Sequence, residues 1–488
     1  MLEYGTMSRF FADLHLHSAY ARATSPNLNF DTLAQWAKFK GINLLASADF
    51  THPVWWQETK RKLKESKKPG FFEYAGINFV LGTEISCIYS QGGRLRRTHC
   101  LVYFPEKEDV EKFNQQIGRI GNLRADGRPI LGISAKQLLE IALNVNEKAI
   151  FIPAHVWTPW FSLYGSNSGF DSIEEAFSDL SKYIYAVETG LSSDPAMNWR
   201  IKELDSRSIV SFSDAHSCPK MGREATVFDT DFSYDGLSSA LKSAGEEQVL
   251  SAEDFQTRPP TKSATSRSST GSGEDAKNPT EAGLAQTGEN AADIQKPAPK
   301  ISFTIEFFPE EGKYHYTGHR NCNVRHSPSE TARQGIICPN CKKKLTIGVM
   351  HRVEELAEKQ RKEAFKSDSR PPFIRLVPLL EIIAESLEKQ IYSSKVQDEF
   401  NNLIKKVGSE IDILLNAKLA DIDKATTVFR IVEGIKKVRE GNIIVEPGYD
   451  GVYGVVKIWN DKKLNESGKN QKKESEEKQA EGQVGLFD

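Results

Sequence analysis

The sequence predicts an α/β protein: a β/α barrel, then a zinc-binding module, then a mainly helical C-terminal lobe. Three observations carry this reading. Short β-branched or apolar runs alternate with longer amphipathic stretches before residue 257, the pattern of parallel strands joined by helices. A stretch at 257–300 is rich in Ser, Thr, Gly, Pro and Ala and has no aromatic residue. Beyond it stand two ligand pairs, His319-x-x-Cys322 and Cys338-x-x-Cys341, at zinc-knuckle spacing.

Length and composition set the frame. A chain of 488 residues has room for about three domains and needs no covalent staple to bury its core. The net charge of −2 does not mark the whole chain as a polyanion binder, although a local basic patch is compatible with it. No apolar run approaches the roughly 18 residues of a membrane span, and the N-terminus has no signal-peptide core. The six cysteines, with one Cys-x-x-Cys, read as reduced thiols and a metal site, not as a disulfide framework. A soluble, cytoplasmic protein that contacts no membrane is expected.

The divisions follow composition. Residues 1–256 form the barrel, 257–300 a disordered linker, 301–352 a basic zinc module, 353–460 the helical lobe and 461–488 a disordered polar tail. The expected barrel strands are 10–13, 44–47, 79–82, 98–103, 150–153, 184–187 and 209–211, with helices over 31–39 and 172–180. Seven such runs fit a barrel of seven or eight strands. Past the linker, 301–308 reads as a strand and 379–387 and 425–439 as helices, the second with an apolar face through Phe429, Val432, Ile435 and Val438 and a stop at Gly441. IIVEPGYDGVYGVVKIW reads as strand, glycine-rich turn and strand.

Each candidate barrel strand has His, Asp or Glu at or near an end: Asp13, His15 and His17; Asp49 with His52; Glu84; His99; His155; Glu188; Asp214 and His216. Residues two apart on a strand share a face, so His15 and His17 can converge on one ion. The C-terminal strand ends of a β/α barrel form its active-site face. One such histidine would be unremarkable, but six of the ten histidines lie here in this position, and imidazole with carboxylate is a Zn, Mn or Fe donor set.

DLHLHS, GTEIS, PAHVW and SDAH resemble the metal motifs of the PHP (polymerase and histidinol phosphatase) superfamily, whose fold is a distorted β/α barrel with metal-dependent phosphoesterase activity. The resemblance implies one ion on His15, His17, Glu84 and Asp214, with Glu84 bridging to a second on His99 and His155. A third ion is common in that superfamily, and Asp49 and His216 remain as its possible ligands, with His52 as a weaker one. The pattern departs there: Phe50 follows Asp49 where a histidine is usual, and the histidine expected near Ala23 is missing. Two or three divalent ions (Zn, Mn or Mg) are thus expected, with Asp214, His216 and Glu84 as the catalytic groups. Paired metals suit phosphodiester hydrolysis, because they lower the pKa of water and neutralise charge on the phosphate.

His319, Cys322, Cys338 and Cys341 are expected to hold one structural zinc, with His315 and His326 as alternative fourth ligands. Residues 312–352 carry eight Lys or Arg against the single Glu330, a basic surface suited to a nucleic-acid backbone. KYHYTGHRNC, CPNCKKKLTIGVMHRVEELA, PPFIRLVPLLEIIAE and VEPGYDGVYGVVKIW, after the PHP motifs, resemble the endonuclease Q family over nearly the whole chain apart from linker and tail. That resemblance implies a DNA repair endonuclease cutting 5′ of deaminated bases (uracil, hypoxanthine, xanthine) and of abasic sites, with damaged DNA as partner. The loop after His155 is expected to read an extruded base through Trp157, Trp160, Ser166, Asn167 and Ser168. The C-terminal Gln483, Leu486 and Phe487 resemble the peptide by which replication and repair proteins bind the sliding clamp. A nucleoid-associated enzyme follows. The competing readings are a PHP-type phosphatase for a small phosphate ester, which has no use for the basic module, and a non-catalytic DNA-binding scaffold, which has no use for the ligand set.

Overall fold

The computed structural model describes residues 7–254, 298–361 and 370–460. The expected linker falls almost wholly outside the described residues, as does the tail with Gln483, Leu486 and Phe487.

Eight strands form the barrel. β1 (Ser8–Asp13) runs parallel to β2 (Leu44–Ala46), which runs parallel to β3 (Ile77–Gln91). β3 turns back into β4 (Arg94–Phe104) as a long antiparallel hairpin. Its two-residue turn is Gly92-Gly93, both at positive φ, which the tight turn between twisted strands requires. β4 pairs antiparallel with β5 (Ile150–Pro153). β6 (Ala186–Glu188) and β7 (Ser208–Val210) form a parallel pair, and β8 (Ala225–Thr230) lies antiparallel on the other edge of β1.

Two seams interrupt the ladder. Between β5 and β6 the Val156 N–H donates to the Glu188 carbonyl (3.0 Å), and between β7 and β8 the Ser211 N–H donates to Thr226 Oγ1 (2.9 Å). The barrel is therefore distorted. Its interior is apolar because alternate residues point inward: Phe10, Ala12 and Leu14 meet Val80, Leu101 and Phe228 there, all buried.

The outer helices follow their sequence signals. Phe30–Lys40 starts at Asn29, whose side chain accepts from the Asp31 and Thr32 N–H groups in a capping box. It buries Phe30, Leu33, Ala34 and Ala37 at helical spacing and ends at Gly41. Its last residue, Lys40, is buried and paired at 2.7 Å with Glu410 of the C-terminal lobe. A buried ion pair of this kind fixes one orientation of lobe on barrel, since breaking it would strand a charge.

One boundary differs from the expectation. The segment 301–352, expected as a module of its own, gives its first strand to the barrel sheet. β9 (Lys300–Glu306) pairs antiparallel with the free edge of β8, and β10 (Phe373–Arg375) pairs parallel with β9. An apolar run announces a strand but not its partner, and this partner lies across the linker. The segment with the expected zinc ligands is a short hairpin, Thr317–His319 with Val324–His326, over a small buried cluster of Val324, Cys338 and Leu345 with Cys322 packed against it.

In the C-terminal lobe Leu379–Leu387 is helical, as expected. The helix expected over 425–439 is Phe429–Arg439, because Ala425 ends a separate helix, Leu419–Ala425. Phe429 is 72% exposed, and the buried face is Ile431, Val432, Ile435 and Val438. Ile444–Glu446 and Val455–Lys457 form the expected antiparallel pair. Among the described residues no helix is long and apolar enough to cross a membrane.

Candidate metal centre

The motif residues meet at one end of the barrel. Leu14 and Leu16 are buried in apolar packing, so the alternating residues His15 and His17 lie side by side, ring centroids 5.5 Å apart. Glu84 comes from β3, His99 from β4, His155 from just past β5 and Asp214 from just past β7. Glu84 stands between two groups. Its Oε2 is 3.4 Å from His15 Nε2 and 3.3 Å from His17 Nε2, and its Oε1 is 2.7 Å from His99 Nδ1 and 3.2 Å from His155 Nε2. Asp214 Oδ1 closes the first group, 3.1 Å from His17 Nε2. Donor atoms of His15, His17, Glu84 and Asp214 all lie within 4.8 Å of one another, and so do those of Glu84, His99 and His155.

These donors fit metal ions. His15 Nε2 is buried without a hydrogen-bond partner, while its Nδ1 lies 2.9 Å from Glu188. Glu188 thereby fixes the tautomer that leaves Nε2 bare for a cation, the usual carboxylate–histidine support of a metal ligand. Burial opposes charge on His15, yet the carboxylates of Glu188, Asp214 and Glu84 outweigh it and raise the ring pKa well above normal. His17 behaves likewise against Asp214, Asp49 and Glu84. The field that holds protons on these rings would hold a divalent ion. In the second group, burial lowers the pKa of His99 to about 3, leaving the neutral imidazole that ligation needs.

Asp49 sits differently from the expected ligand. Its Oδ1 is 3.2 Å from His17 Nδ1, and its Oδ2 accepts from the Ser18 N–H and Oγ, both at 2.6 Å. It supports His17 from behind, because the backbone after β2 turns at Ala48 and Asp49, both at positive φ. His216 stays at the rim, half-buried, its ring 4.5 Å from that of His17 and its Nδ1 2.9 Å from the Asp214 carbonyl. His155 and Asp214 also hold positive φ, so these candidate ligands stand where the strand ends are strained.

The loop after His155 divides. Trp157 is fully buried, its Nε1 donating to Asn198 Oδ1 (2.8 Å), so it is a core residue and not a base reader. Ser168 is also buried, bonded to the backbone of Arg97 and Phe161. Trp160 lies edge-on to Tyr314, which precedes the His319–Cys341 donor set, 5.5 Å between centroids, while Ser166 is half-buried and Asn167 exposed. Phe161, absent from the expected set, sits 4.8 Å from the His99 ring and under the Arg97 guanidinium.

His319, Cys322, Cys338 and Cys341 come together as a fourfold donor set, with Cys341 Sγ 3.3 Å from His319 Nδ1. His315 and His326 do not join it. Hydrogen bonds from the Cys341 and Asn340 backbone and from His319 outweigh desolvation and lower the Cys338 thiol to about 6, toward the thiolate that binds zinc.

Sequence reasoning missed three supporting groups. Glu188 carries the strand-end signal, but nothing in the sequence assigns it a role. Asp13, raised by burial to about 6, accepts from the Ser213 and Gly222 N–H groups and ties the first motif to the last. Arg128 places Nη1 3.0 Å from Glu84 Oε2 and comes from a loop with no motif.

The MJ0043 C-terminal domain family matches residues 378–442. The protein MJ0043 of Methanocaldococcus jannaschii is 30% identical over 303 residues, covering 62% of this chain, and the chain spans only 31% of its length. The protein YqxK of Bacillus subtilis is 26% identical over 472 residues, covering 92% of this chain and all of YqxK. The crystal structure of the lesion-specific endonuclease PfuEndoQ from Pyrococcus furiosus superposes with a TM-score of 0.72 at 28% identity, covering 94% of this chain and 99% of that one. A crystal structure of Endonuclease Q with a 27-mer duplex carrying an abasic lesion at the active site gives 0.71 at 28% identity, over 93% and 97% of the two chains. The likeness runs over nearly the whole chain, through barrel, His319–Cys341 segment and helical lobe alike, so this chain is similar in architecture to the endonuclease Q structures.

Proposed function

We propose that the chain is a metal-dependent DNA repair endonuclease that hydrolyses the phosphodiester 5′ of deaminated bases (uracil, hypoxanthine, xanthine) and of abasic sites. The observation that carries this reading is the pair of donor groups sharing Glu84, on a chain that matches a duplex-bound endonuclease over nearly its whole length. His15, His17, Glu84 and Asp214 would hold one ion, and Glu84, His99 and His155 a second. Such ions, Zn, Mn or Mg, supply an activated water and Lewis-acid neutralisation of the phosphate. The chain's own part is to fix the ligands, through Glu188 on His15 and Asp49 on His17. His216 at the rim is placed to exchange a proton with solvent. Phe161 against His99, with Trp160 and the exposed Asn167 in the same loop, would offer stacking faces and an amide to an extruded base. The His319–Cys341 zinc would hold the basic segment against the duplex backbone.

The test is end-labelled duplex DNA with one deoxyuridine, deoxyinosine, deoxyxanthosine or abasic site, beside undamaged DNA and p-nitrophenyl phosphate. Cleavage 5′ of the lesion alone supports the reading. Hydrolysis of p-nitrophenyl phosphate without DNA cutting points to the small-ester phosphatase.

We also propose that Gln483, Leu486 and Phe487 anchor the enzyme to the sliding clamp, which would raise its effective concentration on the nucleoid. The similarity of QVGLF to clamp peptides supports this. Equal clamp binding by wild type and a Leu486→Ala/Phe487→Ala variant would refute it.

A further inference from the structure

The third positive charge at the centre belongs to the chain itself. Asp49, the natural anchor for a third ion, has its carboxylate occupied by His17 and Ser18, and Phe50 beside it offers no donor. Arg128 instead puts Nη1 3.0 Å from Glu84 Oε2, the oxygen that also faces His15 and His17.

The loop that delivers it is built for the purpose. Asp126 Oδ1 accepts from the N–H groups of Arg128 (3.1 Å) and Arg22 (3.2 Å), the Gly127 N–H donates to the Tyr20 carbonyl (2.9 Å), and Thr51 Oγ1 donates to the Gly127 carbonyl (3.2 Å). A Cβ at Gly127 would strike the Asp49 carboxylate, so glycine is what lets the loop close on the centre. Among the described residues only Glu84 accepts from the Arg128 guanidinium, and 24% of this side chain reaches solvent. A guanidinium has five donors, is always charged and is shaped to grip two oxygens of a phosphate.

We propose that Arg128 is a catalytic residue that donates to the non-bridging oxygens of the scissile phosphate, in a barrel that holds two ions and not three. The proposal rests on the phosphodiesterase reading above. Its contribution is electrostatic: it meets the charge that builds on phosphate oxygen as the P–O bond breaks, and it moves no proton.

The full-length chain is tested as wild type, Arg128→Ala and Arg128→Lys. Metal per chain is counted by mass spectrometry, and single-turnover cleavage of an abasic-site duplex is followed against enzyme concentration. Wild type should carry three ions, two in the barrel and one on the His319–Cys341 set. Arg128→Ala should keep that count and a half-saturation within about threefold, while its maximal rate falls about 10²–10³-fold, the usual loss for one transition-state donor. Added methylguanidinium should restore part of that rate, and Arg128→Lys should be intermediate. A fourth ion in wild type overturns the proposal. So does an unchanged maximal rate, or a rate lost together with a metal, which would make Arg128 a positioning residue for Glu84. Wild type inert on lesion DNA refutes the functional reading instead, and the same variants are then compared on bis(p-nitrophenyl) phosphate.

Discussion

Glu188→Gln should weaken metal binding in both halves of the centre at once. The Glu188 oxygens lie 2.9 and 3.1 Å from His15 Nδ1, and Oε2 also accepts the His155 backbone N–H at 2.7 Å. Glutamine keeps the shape but has one acceptor instead of two. If its carbonyl faces His155, its amide meets His15 Nδ1 and forces the proton onto Nε2, the ligating nitrogen. If its carbonyl faces His15, two buried N–H donors oppose each other at His155, at a cost of about 1–3 kcal/mol. Either arrangement predicts a loss of about 10–100-fold in metal affinity, the usual effect of removing a ligand's support. The assay is retention of metal by the barrel against a graded chelator, with any metal on the His319–Cys341 set as internal reference. Wild-type retention of metal by the variant at both donor groups would refute the role given to Glu188.

Asp214→Asn should abolish cleavage while leaving lesion-duplex binding within a few-fold, because it removes a donor from the first group without touching the basic segment; near-normal turnover would sink the assignment. Cys338→Ser should cost one ion per chain and flatten the salt dependence of duplex binding, by about 0.9 in log–log slope for each phosphate the basic segment no longer neutralises, which a titration in salt measures. Glu306→Gln should raise the melting temperature at pH 8 but not near pH 4.5. Burial raises the Glu306 carboxyl from 4.5 to about 8, so the folded chain holds a proton that the unfolded chain releases and wild-type stability falls as pH rises across that window. The glutamine amide oxygen can still accept from Ser211 and Thr304, and equal melting shifts at both pH values would dismiss the linkage.

What could be read from the sequence divides along a physical line. The candidate ligands were legible as a group because each is tied to a local signal, an apolar run that marks the strand and a polar residue at its end, while the division of that group into ligand sets came from the resemblance to PHP motifs. His15 and His17 needed only the two-residue period, and Cys338 and Cys341 only their spacing. The pairing of β9 with β8 was hidden, since the residues of a strand on either side of an unpatterned stretch say nothing about which edge they will meet. Trp157 and Asn167 lie in one loop and read alike, yet one is sealed in the core and the other exposed, a difference made by Asn198 from a later helix and by the Tyr164 ring that folds back on Trp157 within the loop.

Asp49 and Arg128 show why supporting and charge-bearing groups escape such a reading. A ligand and the carboxylate behind a ligand are the same residue type at the same strand end, and only the 3.2 Å to His17 Nδ1 and the two Ser18 hydrogen bonds separate them. Arg128 has no periodicity, cap or spacing to mark it, because its position is set by tertiary bonds of Asp126 and Gly127 with Arg22, Tyr20 and Thr51. The two residues are nonetheless one structural decision. The Asp49 carboxylate that supports His17 sits directly against Gly127, next in sequence to the Arg128 that reaches Glu84. A side chain at residue 127 would disturb both, and Gly127→Ala should therefore loosen His17 and withdraw the guanidinium together, lowering metal affinity and maximal cleavage rate in one variant where Arg128→Ala lowers only the second.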